Sequence, residues 1–571
     1  MTNLRRVAAA AAAGAAISAI SSRSAAAIYR QFSTGTDLKS FSQLPPKRKL
    51  NVMYESRKVL AEYLNVTRSL PYPYADYIAR NSPRSLAEVV SEVPFSQSTP
   101  FAHSFQRFLR YHPINELEFF LESIGFDGEL PDSVSPSHTY FISDYKHFKV
   151  ASALAGVGFP WSKLGMLWKA DCLVFETDPS ELQRTIRDIK NVYGFNSVSL
   201  IAICLAFPRV LHEKMDGLLT DLKILFLDHD LLSHVDCDID GVSALCVKIR
   251  LFYQWGCEVG MIGELLGRSR SIFVDYSKEE LISRIDYFSK LGVAKDQVAM
   301  LLLSQPEIFG YDLESWMISV SSILRQFGLS KHDLKSLKQR YPHVFGRNRM
   351  ANLPNVMRSL GLGEWFFSRM KDGCHILLGN PSITCSDDED VDKNYIESLQ
   401  KIEARKTKCY SLKRLEFLHS VGFGQNVFAI KALAQLKGSA YELQKRFDCL
   451  LNWGIEYPKV CSLVRFRSKI LNQRENVLDE KIKFLCTEMG LSLQFLDVFP
   501  GYLIYNLERK IKPRFRLHKW LVEQGICKKE YSVSTMIAPS EREFVQRISR
   551  IHPPSAKKWL ENSSKKNGAD E

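Results

Sequence analysis

The chain has 571 residues, 45% hydrophobic and 24% charged, a balance that fits several folded domains or one long repeat array and excludes a wholly disordered polymer. Its net charge of +13 is uneven: residues 1–50 carry +7, residues 51–400 carry −8 and residues 401–571 carry +14, so a polyanion is drawn to the C-terminal third. The twelve cysteines include no C-x-x-C pair and no Cys/His spacing suited to zinc, which excludes a disulfide framework or a zinc module as the organiser.

Residues 1–36 are predicted to be an organelle transit peptide. The segment holds Arg5, Arg6, Arg23 and Arg30 with no acidic residue, among many Ala and Ser. The apolar run from Val7 to Ile20 is 14 residues, too short to span a bilayer comfortably. A secretory signal is the rival, but the arginines continue past the apolar run. Arg30-Gln31-Phe32-Ser33 resembles the cleavage pattern of plant mitochondrial presequences, with the cut near Phe32. The expected destination is the mitochondrion, with the chloroplast as the alternative. Residues 37–104 are broken by prolines and are predicted to be a linker with lead-in helices, one of them over Val52–Val66.

From about residue 105 a unit recurs: an amphipathic helix that ends in glycine followed by one apolar residue. Examples are FLESIGF ending at Phe126, YFSKLGV at Val293 and FLHSVGF at Phe423. The glycines are Gly125, Gly158, Gly194, Gly256, Gly292, Gly328, Gly361, Gly422, Gly454, Gly490 and Gly525. They stand 32 to 36 residues apart, with two gaps of 62 and 61 that each hide one degenerate unit. LKILFLDH around Leu225 supplies the first; the second holds an acidic loop near residues 384–393. Each glycine falls where a left-handed helix cap is needed. Fourteen residues after Gly194, Gly292 and Gly328 come Pro208, Pro306 and Pro342, each closing a second short helix, with an apolar residue three beyond able to start a third. A period near 35 with two or three helices predicts an all-α solenoid, a right- or left-handed superhelix of stacked repeats. The array is expected over residues 105–527, followed by a basic tail over 528–571.

Phe499–Arg516, FPGYLIYNLERKIKPRFR, is the most distinctive stretch. Leu503, Leu507 and Ile511 recur every four residues and predict one buried helical stripe, with Pro513 ending the helix. Arg509, Lys510, Lys512, Arg514, Arg516 and Lys519 then form a dense cationic cluster opposed nearby only by Glu508, suited to a polyanion or to a solvated surface. Three R-x-R pairs stand near unit junctions: Arg268 and Arg270, Arg347 and Arg349, Arg465 and Arg467. Arginine's planar fork takes phosphate or a guanine edge; the alternative is an interhelical or exposed salt bridge. Tyr502, Tyr505 and Trp520 are candidates for stacking on bases or for the core.

The glycine-ended helices, the prolines with Phe309 and Phe345 three beyond, and FPGYLIYNLERKIKPRFRLHKWL together resemble the mitochondrial transcription termination factor (mTERF) family in its plant organellar form. The resemblance covers about residues 105–527. It implies a superhelix of three-helix units whose basic inner face holds organellar nucleic acid. It further implies a regulator of transcription termination or initiation, of intron splicing or of ribosome assembly, generally not an enzyme. The expected partner is double-stranded DNA or structured RNA of the organelle, with organellar transcription or RNA-processing proteins beside it, and the expected state is a monomer. No cofactor is expected.

Other constellations carry little. The sequence contains no G-x-x-x-x-G-K-[ST], G-x-S-x-G or H-E-x-x-H. The run Asp387–Asp392 lacks the EF-hand pattern and fits a solvated loop. His212, His229 and His234 fall in one region without ligand spacing, which fits interhelical roles. No further stretch is long and apolar enough to predict a membrane span. Two rivals remain. A pentatricopeptide-type RNA binder shares the period but not the prolines, and a protein-interaction scaffold fits the acidic middle.

Overall fold

In a computed structural model of the chain, residues 41, 44–93, 100–127, 146–267, 271–380, 392–405, 408–527 and 532–567 are described below. The transit segment, most of the acidic run and the pair Arg268 and Arg270 lie outside them. The chain divides into two compact units, Met1–Arg250 and Leu251–Glu571.

The glycines set the architecture. All eleven have positive φ, from +64° to +114°. At seven of them the amide after the glycine reaches back five residues to a helical carbonyl, as in Phe126 N to Leu121 O (3.0 Å), Leu329 N to Leu324 O (2.9 Å) and Phe423 N to Leu418 O (3.0 Å). This is the Schellman closure, which satisfies end carbonyls and turns the chain sharply. At Gly422 the cap is also a close approach: a Cβ there would lie 2.7 Å from Ser359 Oγ.

The first unit holds α1 (Pro46–Glu62), α2 (Tyr72–Asn81), α3 (Pro83–Glu92), α4 (Phe101–Tyr111), α5 (Glu116–Ser123), α6 (Lys146–Val157), α7 (Leu164–Ala170), α8 (Pro179–Tyr193), α9 (Ser197–Ala206) and α10 (Asp216–Lys223). It ends within α11 (Ile239–Gln254). The described part of the lead-in region is thus mostly helical, and α1 fills much of the stretch predicted as one helix. The degenerate unit in the first long gap is real: α10 runs into a π-turn over Ile224–Asp228, and Asp230 takes the left-handed position at φ +50°. Aspartate visits this region more readily than most residues because its short polar side chain bonds locally.

The second unit holds α12 (Ile262–Gly267), α13 (Ser271–Asp275), α14 (Lys278–Ser289), α15 (Lys295–Ser304), α16 (Val320–Gln326), α17 (Lys331–Arg340), α18 (Leu353–Ser359) and α19 (Gly363–Lys371). It continues with α20 (Lys393–Glu403), α21 (Lys408–Ser420), α22 (Val427–Leu433), α23 (Ala440–Asn452), α24 (Tyr457–Arg467), α25 (Glu475–Thr487) and α26 (Phe495–Val498). It closes with α27 (Lys512–Glu523), α28 (Val533–Ile537), α29 (Glu541–Ile551) and α30 (Pro553–Asn567). Most repeats are a first helix, a glycine turn, a second helix and a short 3₁₀ segment; after Gly256 the third element is a short α-helix and after Gly328 a plain turn. Pro208, Pro306 and Pro500 open that third segment, because proline fits where no amide donor is needed, whereas Pro342 heads a plain turn.

The all-α class holds, and two expectations are corrected. The second long gap hides no full unit among the described residues; it adds one helix, α20, whose N-terminal Asp392 also accepts Val427 N at 2.8 Å. The supposed basic tail contains α28–α30, which bury Met536, Phe544, Ile548 and Ala556 with Leu521 and Cys527 in a core of their own. The all-α body carries one small departure, an antiparallel ladder of β1 (Met317–Ser319) and β2 (Arg347–Arg349).

Candidate nucleic-acid interface

The Phe499–Arg516 segment is not one helix. Leu503, Leu507 and Ile511 are all buried, as the stripe predicted. However, Leu503 belongs to the Pro500–Ile504 3₁₀ segment, and Leu507–Ile511 is a π-turn capped by Asn506, whose Oδ1 accepts Arg509 N at 2.7 Å. Pro513 does not end the helix; it lies in the first turn of α27. The π-turn explains this. Its wider i→i+5 bonds, such as Lys512 N to Leu507 O, open the ring just where a proline would otherwise strike the carbonyl four residues back.

The six cations of this segment have three fates. Arg514 is 1% exposed: Nη1 donates to Pro539 O (2.7 Å), Ile537 O (3.2 Å) and Met536 O (3.3 Å), and Nη2 to Glu541 Oε2 (2.5 Å). Its guanidinium also lies 4.2 Å from the Phe544 ring centroid. Arg514 is therefore a clamp for α28 and α29, and it corrects the expectation of a surface contact. Lys512 pairs with Glu508, and Lys510 lies 3.9 Å from the Tyr505 ring centroid with Nζ 3.4 Å from Ala538 O. Arg509, Arg516 and Lys519 are exposed. Among the aromatics, Tyr502 is core, donating to Lys481 O at 2.9 Å. Tyr505 is half-buried, and Trp520 is exposed beside His552.

Arg514 belongs to a wider pattern. In several repeats a first-helix cation crosses to carbonyls near the end of the same repeat. Arg284 Nη2 reaches Phe309 O (3.0 Å), Arg446 Nη1 reaches Leu471 O (2.9 Å), Lys481 Nζ reaches Leu503 O (2.8 Å), and Arg414 bonds Leu436 O. These cations neutralise the orphan carbonyls of a helix end. Burial pushes the Lys481 ammonium down to about 8. Sequence reasoning missed this class, although Arg284, Arg414 and Arg446 each stand eight residues before a capping glycine.

Further cations with no carboxylate partner among the described residues lie on α17, α22 and α24. Helix α17, KHDLKSLKQR, buries only Leu334 and exposes Lys331, Lys335, Lys338 and Arg340. The three lysines share one helical stripe. Arg465, at the end of α24, reaches Arg340 O at 3.3 Å and lies 5.1 Å from the Phe428 ring centroid and 4.5 Å from that of Phe466. Burial lowers the Arg465 pKa. Arg467 is exposed, so this R-x-R pair diverges at its helix end. Lys431 on α22 lies 5.8 Å from the Phe428 centroid. None of Lys338, Arg340, Lys431, Arg465 and Arg467 is ion-paired among the described residues. Three of the second helices, α17, α22 and α24, thus meet around Arg465.

Arg347 and Arg349 lie on β2 and share a face, with Asn348 buried between them and donating to Phe423 O at 3.1 Å. Arg349 approaches Glu416 at 3.8 Å. Beneath the patch, His343 is fully buried with both ring nitrogens unpartnered, and desolvation together with Arg465 holds its pKa down to about 3.

In the first unit His212 Nε2 meets Asp171 Oδ2 at 2.6 Å, an interhelical contact. Among the described residues no His/Cys/Asp/Glu group is arranged to hold a metal, and no single helix is long and apolar enough to cross a membrane.

Comparison with known proteins agrees with this architecture. The mTERF family model matches residues 247–407 and 412–545, a span that includes α28 and part of α29. The chain is 41% identical over 536 residues to transcription termination factor MTEF18, mitochondrial, of Arabidopsis thaliana, covering 92% of this chain and 95% of that protein. It is 20% identical over 265 residues to transcription termination factor MTERF15, mitochondrial, covering 46% of each chain. It is 21% identical over 241 residues to transcription termination factor MTERF8, chloroplastic, covering 41% of this chain and 43% of that one; both are from the same plant. With glycine-capped three-element repeats, a family match over more than half its length and a relative this similar end to end, the chain belongs to the mTERF family.

Proposed function

We propose that this protein is a mitochondrial regulator of gene expression that binds nucleic acid through the second-helix face of its C-terminal unit. The observation that carries this is the set of cations on α17, α22 and α24 that no carboxylate neutralises among the described residues. Such cations gain affinity by displacing counterions from phosphates, with no need for base contacts. The mechanism is occlusion: a helical array clamped on double-stranded DNA stops a polymerase without chemistry of its own. The names of the relatives favour transcriptional control, including termination, and the more similar one favours the mitochondrion. A monomer suffices for this role. RNA is the second reading, favoured by the rings of Phe428 and Phe466 set among the cations.

The test is crosslinking of the tagged protein in isolated mitochondria, with DNA and RNA sequenced separately. A compact DNA footprint supports transcriptional control. Enrichment on an intron or ribosomal RNA without a DNA peak moves the function to RNA processing or ribosome assembly. Enrichment of neither overturns nucleic-acid binding and leaves a scaffold.

A further inference from the structure

We propose that the C-terminal end of α24 is a seat for an unpaired base, with Phe466 as the stacking surface and Arg465, Arg467 and Arg340 as phosphate partners. The inference rests on the nucleic-acid reading above and names the form of nucleic acid that the patch selects.

Phe466 is 59% exposed although it is flanked by two arginines, so its ring is left in solvent beside charge. Arg465 contacts that ring and the half-buried Phe428 ring at once, and its Nη1 is fixed on Arg340 O. The guanidinium is therefore held in place before any ligand arrives. Arg340 in turn lies 5.2 Å from the Tyr341 ring centroid. Rings alternating with uncompensated cations differ from a plain basic stripe. A stripe binds phosphates of any strand, whereas an exposed ring adds affinity only for a base whose face is free. In a continuous duplex both faces of every internal base are covered by neighbours. The geometry thus favours an unpaired nucleotide, whether in a single-stranded RNA, a loop or a single-stranded DNA.

The test uses the full chain and fluorescence anisotropy with three probes of one sequence, each roughly 20 nucleotides long: single-stranded RNA, single-stranded DNA and duplex DNA. Phe466→Ala is expected to weaken binding to the single strands about five- to a hundredfold and to leave duplex binding within about twofold. Phe466→Trp restores single-strand affinity by restoring a ring. A 2-aminopurine base in the single strands is quenched by the wild-type protein and not by Phe466→Ala. Tighter binding to the RNA or to the DNA strand identifies the source of the base, and a Phe466-dependent loss on either supports the seat. Equal loss on all three probes, or no loss on any, overturns the seat while nucleic-acid binding stands. Failure of the wild-type protein to bind any probe overturns both.

Discussion

Arg514 lies in the first turn of α27 with its side chain buried. It sits in the densest cationic run of the chain, yet its guanidinium is spent on three carbonyls, one carboxylate and one ring. Arg514→Ala leaves those carbonyls unpaired and is expected to cost roughly 2–4 kcal/mol, read by urea denaturation, with nucleic-acid affinity unchanged where the variant is folded. A loss of affinity at full stability would return Arg514 to the binding surface. Charge density was legible in the sequence; burial was not, because the carbonyls that enclose Arg514 come from 22 to 25 residues away.

His343 makes a pH prediction. Its folded pKa of about 3 lies below the ordinary 6.5, so the unfolded chain binds the proton first as pH falls. The stability tied to a neutral His343 is complete above pH 6.5 and is lost toward pH 3. Relative to His343→Phe, the wild-type chain should lose about 1 kcal/mol per pH unit between roughly pH 6 and pH 4. Parallel stability curves for the two proteins would refute it.

Among the elements, the glycine-ended first helices were plainly legible, since a positive φ admits few other residues and the period repeats many times. The second helices were less so. Helix α17 lies in a stretch whose overall charge is negative, and its lysines are spaced three and four apart rather than run together. Only the structure shows that nearly all of that helix faces solvent. Replacing Lys331, Lys335 and Lys338 together with Gln should weaken every nucleic-acid probe. The slope of log affinity against log salt should become shallower by about 2–3, with the melting temperature nearly unchanged because Leu334 still anchors the helix. An unchanged slope would remove α17 from the interface. Pro513 was misread for a local reason: proline is disfavoured inside an α-helix, and no sequence rule announces that a π-turn will make room for it.

At the scale of the molecule, the C-terminal helices α28–α30 complete the second unit. Repeat arrays need a last element that covers the open face of the final repeat, and here it arrives with its own small core and the Arg514 clamp. Its basic composition made it resemble a tail. Deleting residues 528–571 should lower the melting temperature by several degrees and promote aggregation, measured by thermal unfolding and size-exclusion chromatography, because Leu521 and Arg514 lose their cover. A truncated chain as stable and monodisperse as the full one would refute a capping role.

The cations that close single repeats have a consequence for the order of events in time. Arg284, Arg414, Arg446 and Lys481 each find their carbonyl within 22 to 25 residues. A repeat can thus complete its polar bonds as soon as that length of chain is free, without waiting for distant sequence. Short closures form fast, and each finished repeat offers an apolar face to the one that follows. A chain of this kind can assemble progressively from its leading end as it emerges from a ribosome or a translocation pore.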